Sequence, residues 1–267
     1  MTEKSWSEIE FSNSLGKIGI RSGDTIFVHS NLGFFGLHNP AGNLVDIVLN
    51  SLHSSIGKLG TLILPAFTYS LSQNLVFNPN SNTGLTSMGA LSQRAFELSF
   101  PRTHDPMFSI FVTGKASEEI LASKANSSNG PGSIFHDLLQ RNIKVISMNM
   151  GAGSTLIHEM EYQLGVRYRF MKEFNGYSYN SMSKQEEPVK WSAFVRRLDI
   201  ENSTASFRQL TKDFTKLPDW KTSRLGRGSI SSYESVSMKT YLQNKLKSSP
   251  FYLTEKFLVE LGERETC

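Results

Sequence analysis

A chain of 267 residues with 39% hydrophobic and 19% charged side chains can bury a substantial core, and one domain spanning 1–267 is expected. The opening segment MTEKSWSEIEFSNSLGKIG alternates charged and apolar residues and lacks the apolar run of a signal peptide; no later stretch approaches a membrane span, so the expected location is the cytoplasm. The only cysteine, Cys267, rules out an internal disulfide or a thiolate metal cluster and argues against a cysteine nucleophile, which leaves His, Asp, Glu, Ser, Thr or a cofactor to carry any chemistry. The formal charge is +4, and between Phe170 and Thr240 twelve Lys or Arg stand against eight Asp or Glu, so the whole excess falls in that segment. That is either a solvated basic surface or the neighbourhood of an anionic ligand. The basic residues are too dispersed for a nucleic-acid interface.

In chain order, Asp24-Thr-Ile-Phe-Val-His-Ser30 reads as a strand, Asn43 to Leu52 as a helix with Leu44, Ile47, Val48 and Leu52 on one face, and Thr61-Leu-Ile-Leu-Pro65 as a second strand. A helix over Met88–Leu98, a strand over Phe108–Thr113, helices over Ser117–Lys124 and Ile134–Asn142, and a strand over Lys144–Asn149 follow. This alternation predicts an α/β fold with a mostly parallel central sheet flanked by helices. After Arg169 the texture changes. Phe174–Ser183, Val189–Arg196 and Gly228–Val236 alternate and predict a smaller antiparallel β elaboration, a subdomain over 170–237, with a helix near Ser206–Thr215. Helices over Met238–Leu246 and Leu253–Glu260 close the chain.

Ligands of open α/β sheets bind beyond the carboxyl ends of the strands. Three such ends deliver Val28-His29-Ser30, Pro65-Ala-Phe67-Thr68-Tyr69, and Asn149 with the stretch Gly151-Ala-Gly-Ser-Thr-Leu-Ile-His-Glu-Met-Glu-Tyr-Gln-Leu-Gly165. Gly33 and Gly36 form no dinucleotide fingerprint, and no phosphate-binding G-x-x-x-x-G-K-[ST] motif occurs. In the third stretch Ser154 or Thr155 is a natural N-cap and Gly165 a natural C-cap, which predicts a helix of about ten residues with Leu156, Ile157, Met160 and Leu164 as its buried stripe. His158 and Glu161, at i and i+3, share one edge of that stripe, whereas Glu159 is expected to face solvent. A zinc-protease helix needs H-E-x-x-H, and its last position here is Tyr162, so no metal is expected. The pair reads as a general base with its orienter or as a helix-edge ion pair, and the helix dipole near its N-terminus keeps such a histidine neutral. His38, His53, His104 and His136 read as surface or core fillers.

Taken together, Val28-His-Ser-Asn-Leu-Gly-Phe-Phe-Gly36, Gly60-Thr-Leu-Ile-Leu-Pro-Ala-Phe-Thr68, Met88-Gly-Ala-Leu91, Arg102-Thr-His-Asp-Pro-Met-Phe-Ser109, Gly132-Ser133 and Gly153-Ser-Thr-Leu-Ile-His-Glu-Met-Glu161 with Gly165-Val-Arg-Tyr-Arg169 resemble, in order and spacing from about residue 10 to 260, the aminoglycoside 3-N-acetyltransferase family. The resemblance implies an acetyl-CoA-dependent enzyme whose coenzyme A tunnel is lined by His29, Ser30, Asn31, Leu32, Gly33, Phe34, Phe35, Gly36, Phe67, Thr68, Arg102, Phe108 and Ser109. It implies direct transfer without an acyl-enzyme, with His158 as base, Glu161 as its orienter, and the Thr68 hydroxyl or backbone amides at the oxyanion. Tyr69, Asp105, Tyr162 and Arg169 are the expected acceptor contacts. Asp105 before Pro106 and Ser154 before Thr155 depart from the family's usual residues, so coenzyme A is the firmer expectation and the acceptor the weaker.

Aminoglycosides are polycations that call for carboxylates, whereas the segment from Phe170 onward is net basic. The expected acceptor is therefore an amino sugar carrying a nucleotide or another anionic group, as in surface-polysaccharide assembly. Aminoglycoside acetylation, a non-catalytic acyl-CoA or glycan-binding protein, and a metal-dependent hydrolase are the alternatives. A monomer or homodimer is expected, with no nucleic-acid partner.

Overall fold

The computed structural model describes residues 5–38, 42–83 and 85–262, so Cys267 lies outside the described residues. A helix absent from the sequence expectations comes first, α1 (Glu8–Lys17), and a reciprocal cap starts it: Ser7 Oγ accepts from the Glu10 amide at 3.3 Å and Glu10 Oε2 accepts from the Ser7 amide at 2.8 Å. Then follow β1 (Thr25–Ser30), a 3₁₀ turn (Leu32–Phe35), α2 (Leu44–Ile56), β2 (Thr61–Pro65), α3 (Ala90–Glu97), β3 (Ile110–Gly114), α4 (Ser117–Leu121), α5 (Ile134–Gln140), β4 (Lys144–Met148) and α6 (Leu156–Gln163). The second half holds β5 (Arg169–Asn180), β6 (Gln185–Arg196), α7 (Arg208–Phe214), β7 (Lys221–Leu225), β8 (Gly228–Glu234), α8 (Ser235–Ser248) and α9 (Glu255–Glu260). No helix among the described residues is long and apolar enough to cross a membrane.

The central sheet has six strands in the order β3-β2-β1-β4-β8-β7. Its middle, β2-β1-β4, is parallel, as the alternation of strands and helices predicts. The outer pairings are antiparallel, β3 against β2 and β8 against β4, with β7 completing the edge. Two expectations change here. The alternating run at 228–236 does not belong to a separate ribbon: it is β8, inside the central sheet, so of the segment 170–237 only the β5–β6 hairpin forms a sheet of its own. And β7 is a strand with no hydrophobic alternation in its sequence, Lys-Thr-Ser-Arg-Leu.

Period-two alternation divides the core. Ile26 and Val28 of β1 with Leu62 and Leu64 of β2 pack beneath α1, α2 and α3, while Phe27, Ile63 and Val145 pack on the other face against α5, α6, α7 and α8. Each such buried side chain contributes roughly 1.5–3 kcal/mol. The link from β1 to β2 runs over the first face, and α5, which precedes β4, lies on the second. Their divergence leaves the crevice of an open α/β sheet at the carboxyl ends of β1 and β4.

Candidate active site

At that edge Asn149, in the left-handed conformation (φ 60°), staples three strand ends: its amide group donates to the Asn31 carbonyl at 3.0 Å and its Oδ1 accepts from the Ser229 amide at 2.8 Å. The chain then passes through two glycines with no room for a side chain. A Cβ at Gly151 would stand 2.7 Å from Thr211 Oγ1, and one at Gly153 2.4 Å from the Phe207 ring. This close passage delivers α6 to the crevice. Thr155 is its N-cap, without a side-chain capping bond, and Gly165 (φ 67°) follows its end.

His158 Nδ1 lies 2.7 Å from Glu161 Oε2, one turn apart on α6. Glu161 has no exposed surface and is held from two further sides: the Tyr168 hydroxyl donates to Oε1 at 2.7 Å, and Arg169 Nε lies 2.7 Å from Oε2. Burial alone would push the Glu161 carboxyl upward, but the charge of Arg169 and the bonds from His158 and Tyr168 outweigh it and hold it below its ordinary value. The His158 ring lies between Phe108 and Phe207, at centroid distances of 6.5 and 6.1 Å, and keeps 17% of its side chain exposed. Burial first, and then the Arg169 charge, lower its proton affinity below the usual histidine value. The result is a neutral imidazole whose Nδ1 proton is committed to a fixed carboxylate, leaving Nε2 on the opposite side of the ring to accept a proton.

The other expected site residues divide into those that face the crevice and those that build it. Phe67, Tyr69 and Phe108 form an aromatic group beside His158, with Phe108 5.7 Å from Phe67 and 5.3 Å from Tyr69. Tyr69 is held at φ 52°, a left-handed backbone rare for an aromatic residue. Asn31, Gly33 and Phe34 are exposed at the mouth, and Ser30 and Gly36 partly so. Leu32 and Phe35, expected in the tunnel wall, are buried in the core on the opposite face of the sheet, because a 3₁₀ helix, with about three residues per turn, puts positions i and i+3 on the same side. His29 follows Phe27 on the face toward α5; its Nε2 is sealed from solvent without a hydrogen-bond partner, and burial drives its pKa down to about 4.

Arg102 and Ser109, expected as cofactor contacts, hold the backbone together in this structure. The Arg102 guanidinium donates to the carbonyls of Ala66 (2.6 Å), Ser81 (3.1 Å) and Pro79 (3.4 Å) and to Ser109 Oγ, while Ser109 Oγ itself donates to the Ala66 carbonyl at 2.6 Å. Burial lowers the Arg102 pKa to about 10. Asp105, expected on the acceptor side, is buried and accepts from the amides of Met107 and Phe108, each at 2.8 Å, which fixes the turn that presents Phe108; burial raises its pKa to about 6. Tyr162 packs edge-on against Phe194 at 5.4 Å, under Gly130, and Arg169 is occupied by Glu161. The Thr68 hydroxyl donates to the Pro106 carbonyl at 3.2 Å, which commits its single proton.

Three features were not foreseen. Tyr168 and Arg169 are partners of Glu161, brought back by the turn at Gly165. Glu159 is fully buried rather than solvated: its carboxylate accepts from the Gly130 amide at 2.8 Å and Gln163 Nε2 at 2.9 Å, and lies 3.1 Å from His136 Nδ1. A cavity of about 560 Å³ opens along the same edge, between Phe34 and the β7–β8 turn.

The aminoglycoside 3-N-acetyltransferase family model matches residues 27–247. Among solved structures, sisomicin-bound AAC-VIa superposes with a TM-score of 0.74 at 15% identity, covering 91% of this chain and 98% of that one. AAC-IIIb in binary complex with CoASH gives 0.75 at 15% identity over 91% and 97%, and the YokD protein from Bacillus subtilis 0.72 at 16% identity over 91% and 93%. No curated protein matches the chain significantly by sequence.

Proposed function

Because this chain belongs to the aminoglycoside 3-N-acetyltransferase family and is an acetyl-CoA-dependent N-acetyltransferase, we propose that it acetylates the primary amine of an anionic, nucleotide-linked amino sugar, with His158 as general base and Glu161 as its orienter. The observation that carries the mechanism is the buried chain Arg169–Glu161–His158, which ends at an imidazole in the crevice. Acetyl-CoA supplies the acyl group as a thioester, and as the amide N–C bond forms the C–S bond breaks and coenzyme A leaves as the thiolate. Its binding is compatible with the exposed loop at Asn31, Gly33 and Phe34 and with the apolar wall of Phe67 and Phe108, which suits a pantetheine arm. His158 Nε2 takes the proton of the attacking amine, while Glu161 holds the Nδ1 proton and balances the imidazolium as it forms. Arg169 keeps Glu161 ionised. With the Thr68 hydroxyl turned to Pro106, backbone amides are the donors for the charge that develops on the carbonyl oxygen.

The acceptor reading is supported by charge. The excess of basic residues falls between Phe170 and Thr240, and among the described residues no Asp or Glu lines the cavity at the mouth. We place the reaction in the cytoplasm, in the assembly of a surface polysaccharide. A second reading, aminoglycoside acetylation, has the family itself and the sisomicin complex of AAC-VIa in its favour. A thiol-release screen of acetyl-CoA against amino sugars, nucleotide-linked amino sugars and aminoglycosides separates them. The expected result is the highest kcat/KM with a nucleotide-linked amino sugar, and higher efficiency with kanamycin or gentamicin overturns it.

A further inference from the structure

The sheet face above β4, β8 and β7 changes character along its length. At Val145 and Tyr233 it is apolar and covered by helices. Two residues further toward the crevice, the same face carries Ser147, Ser231 and Thr222, aligned across three strands by the pairings Ser147↔Ser231 and Thr222↔Ser231. Ser147 and Ser231 are nearly inaccessible, and the Ser231 hydroxyl donates to Thr222 Oγ1 at 2.9 Å. Hydroxyls on a sheet face where packing calls for aliphatic side chains form the floor of the 560 Å³ cavity.

Arg224, paired across β7–β8 with Ser229, and Arg227 in the turn stand at its rim; neither guanidinium has an ion-pair or hydrogen-bond partner among the described residues. The turn that follows Arg224 and carries Arg227 is pinned against the 3₁₀ turn at Phe35. Gly226 lies so close to the Phe35 carbonyl that a Cβ would come within 2.1 Å of it, and the Arg227 amide donates to that same carbonyl at 3.1 Å. Trp220, stacked on Tyr233 at 6.0 Å, and Phe34 add aromatic surface. The cavity also borders the transfer site: Met150, Gly151 and Thr211 line both it and the adjoining shallow groove at Phe207, whose ring packs on His158.

We propose that this cavity binds the phosphate-bearing part of the acceptor, with Arg224 and Arg227 on a diphosphate and the hydroxyl floor and aromatic surface receiving the adjoining sugar or base; this rests on the reading of the acceptor as a nucleotide-linked amino sugar. Two cationic forks with no carboxylate among the described residues lining the cavity suit phosphate oxygens, and a cavity of this size accommodates a ligand of that class. The ADP end of coenzyme A offers the same chemistry, and the test separates the two sources.

Calorimetric titration of the protein with uridine diphosphate, and with adenosine 3′,5′-bisphosphate as the coenzyme fragment, is run with and without saturating coenzyme A, on the wild type, Arg224→Gln and Arg227→Gln. The expected result is uridine diphosphate binding that is weakened about tenfold or more in each variant and survives coenzyme A. Displacement by coenzyme A, with the bisphosphate weakened in the variants, overturns the acceptor assignment in favour of the coenzyme. Equal affinities in wild type and variants overturn the phosphate site altogether. Steady-state kinetics keep this apart from the functional reading. Turnover of a nucleotide-linked amino sugar with KM unchanged in both variants defeats the cavity alone, whereas Arg-dependent uridine diphosphate binding without turnover of such a sugar defeats the reading of the reaction and leaves the cavity as a nucleotide site.

Discussion

His158 with Glu161 and His136 with Glu159 use the same two side-chain types, both carboxylates stand on α6 and both are completely buried, whereas His136 comes from α5. Their partners divide their roles. Glu161 is held by side chains alone, a tyrosine hydroxyl and an arginine, and its histidine is in the crevice between two phenylalanine rings. Glu159 is held by a backbone amide and by Gln163, which in turn accepts from Lys239 Nζ at 2.6 Å, and its network reaches the 126–133 loop rather than the crevice. That loop carries the hairpin: Trp191 Nε1 donates to Ser128 Oγ at 2.8 Å and the Phe194 amide donates to Asn129 Oδ1 at 3.1 Å. Under the proposed mechanism only the first ring meets substrate, so such a pair is read by what its carboxylate is tied to and by what its ring faces.

The largest test of that division is kinetic. His158→Ala is expected to lose about 10²- to 10⁴-fold in kcat while still binding coenzyme A, because a general base supplies an acceleration of that order. His136→Ala is expected to leave kcat within about twofold of the wild type, since its network ends at the loop. Equal losses in the two variants would erase the distinction.

Next in size is Glu161. Glu161→Gln is expected to lower kcat by about tenfold or more. It also leaves Arg169 buried without its counter-charge and is expected to cost about 3–5 kcal/mol of stability in denaturant unfolding. Tyr168→Phe separates the two effects: it removes one bond to Oε1, leaves the ion pair in place, and should cost only about 1 kcal/mol.

For Glu159 the effect should be thermodynamic rather than kinetic. Glu159→Ala strands the Gly130 amide and loosens the loop under the hairpin, so unfolding stability is expected to fall by about 1–3 kcal/mol, with kcat per folded molecule nearly unchanged. A large kcat loss with normal stability would move Glu159 into the catalytic machinery.

The contrast also marks how far the sequence could be read. The spacing of His158 and Glu161 is legible because i and i+3 meet on any helix, and the parallel centre of the sheet is legible in β1, β2 and β4 because its strands read as apolar runs. Glu159 was misplaced because a stripe of Leu156, Ile157, Met160 and Leu164 implies one buried face, whereas α6 is also covered by the loop at Gly130, which lies 29 residues away in sequence. Arg102 and Asp105 are expected as ligand contacts only through the family resemblance, and the fold shows backbone groups occupying them. The strand β7 escaped because its one apolar residue, Leu225, makes no alternating pattern: Ser223 on the same face bonds to Ser14 of α1, and Thr222 and Arg224 on the other line the cavity. The helix α1 did carry a signal, the Ser7-x-x-Glu10 cap.

The smallest expected effect is a shift along the pH axis. A base acts in its unprotonated form, so a lowered histidine pKa keeps that form populated at lower pH. The acid limb of kcat/KM should therefore have its midpoint below the ordinary histidine value of 6.5, with activity lost as pH falls through it. Arg169 is one of the causes of that lowering, after burial. In Arg169→Gln the cation no longer opposes the imidazolium, His158 holds its proton to higher pH, and the acid limb should move upward. No such link reaches the second pair, whose partners are a backbone amide and Gln163. Glu159→Ala should thus leave the limb where it is, even if stability falls. If Arg169→Gln lowers kcat with no shift of the limb, Arg169 holds Glu161 in place without tuning the base.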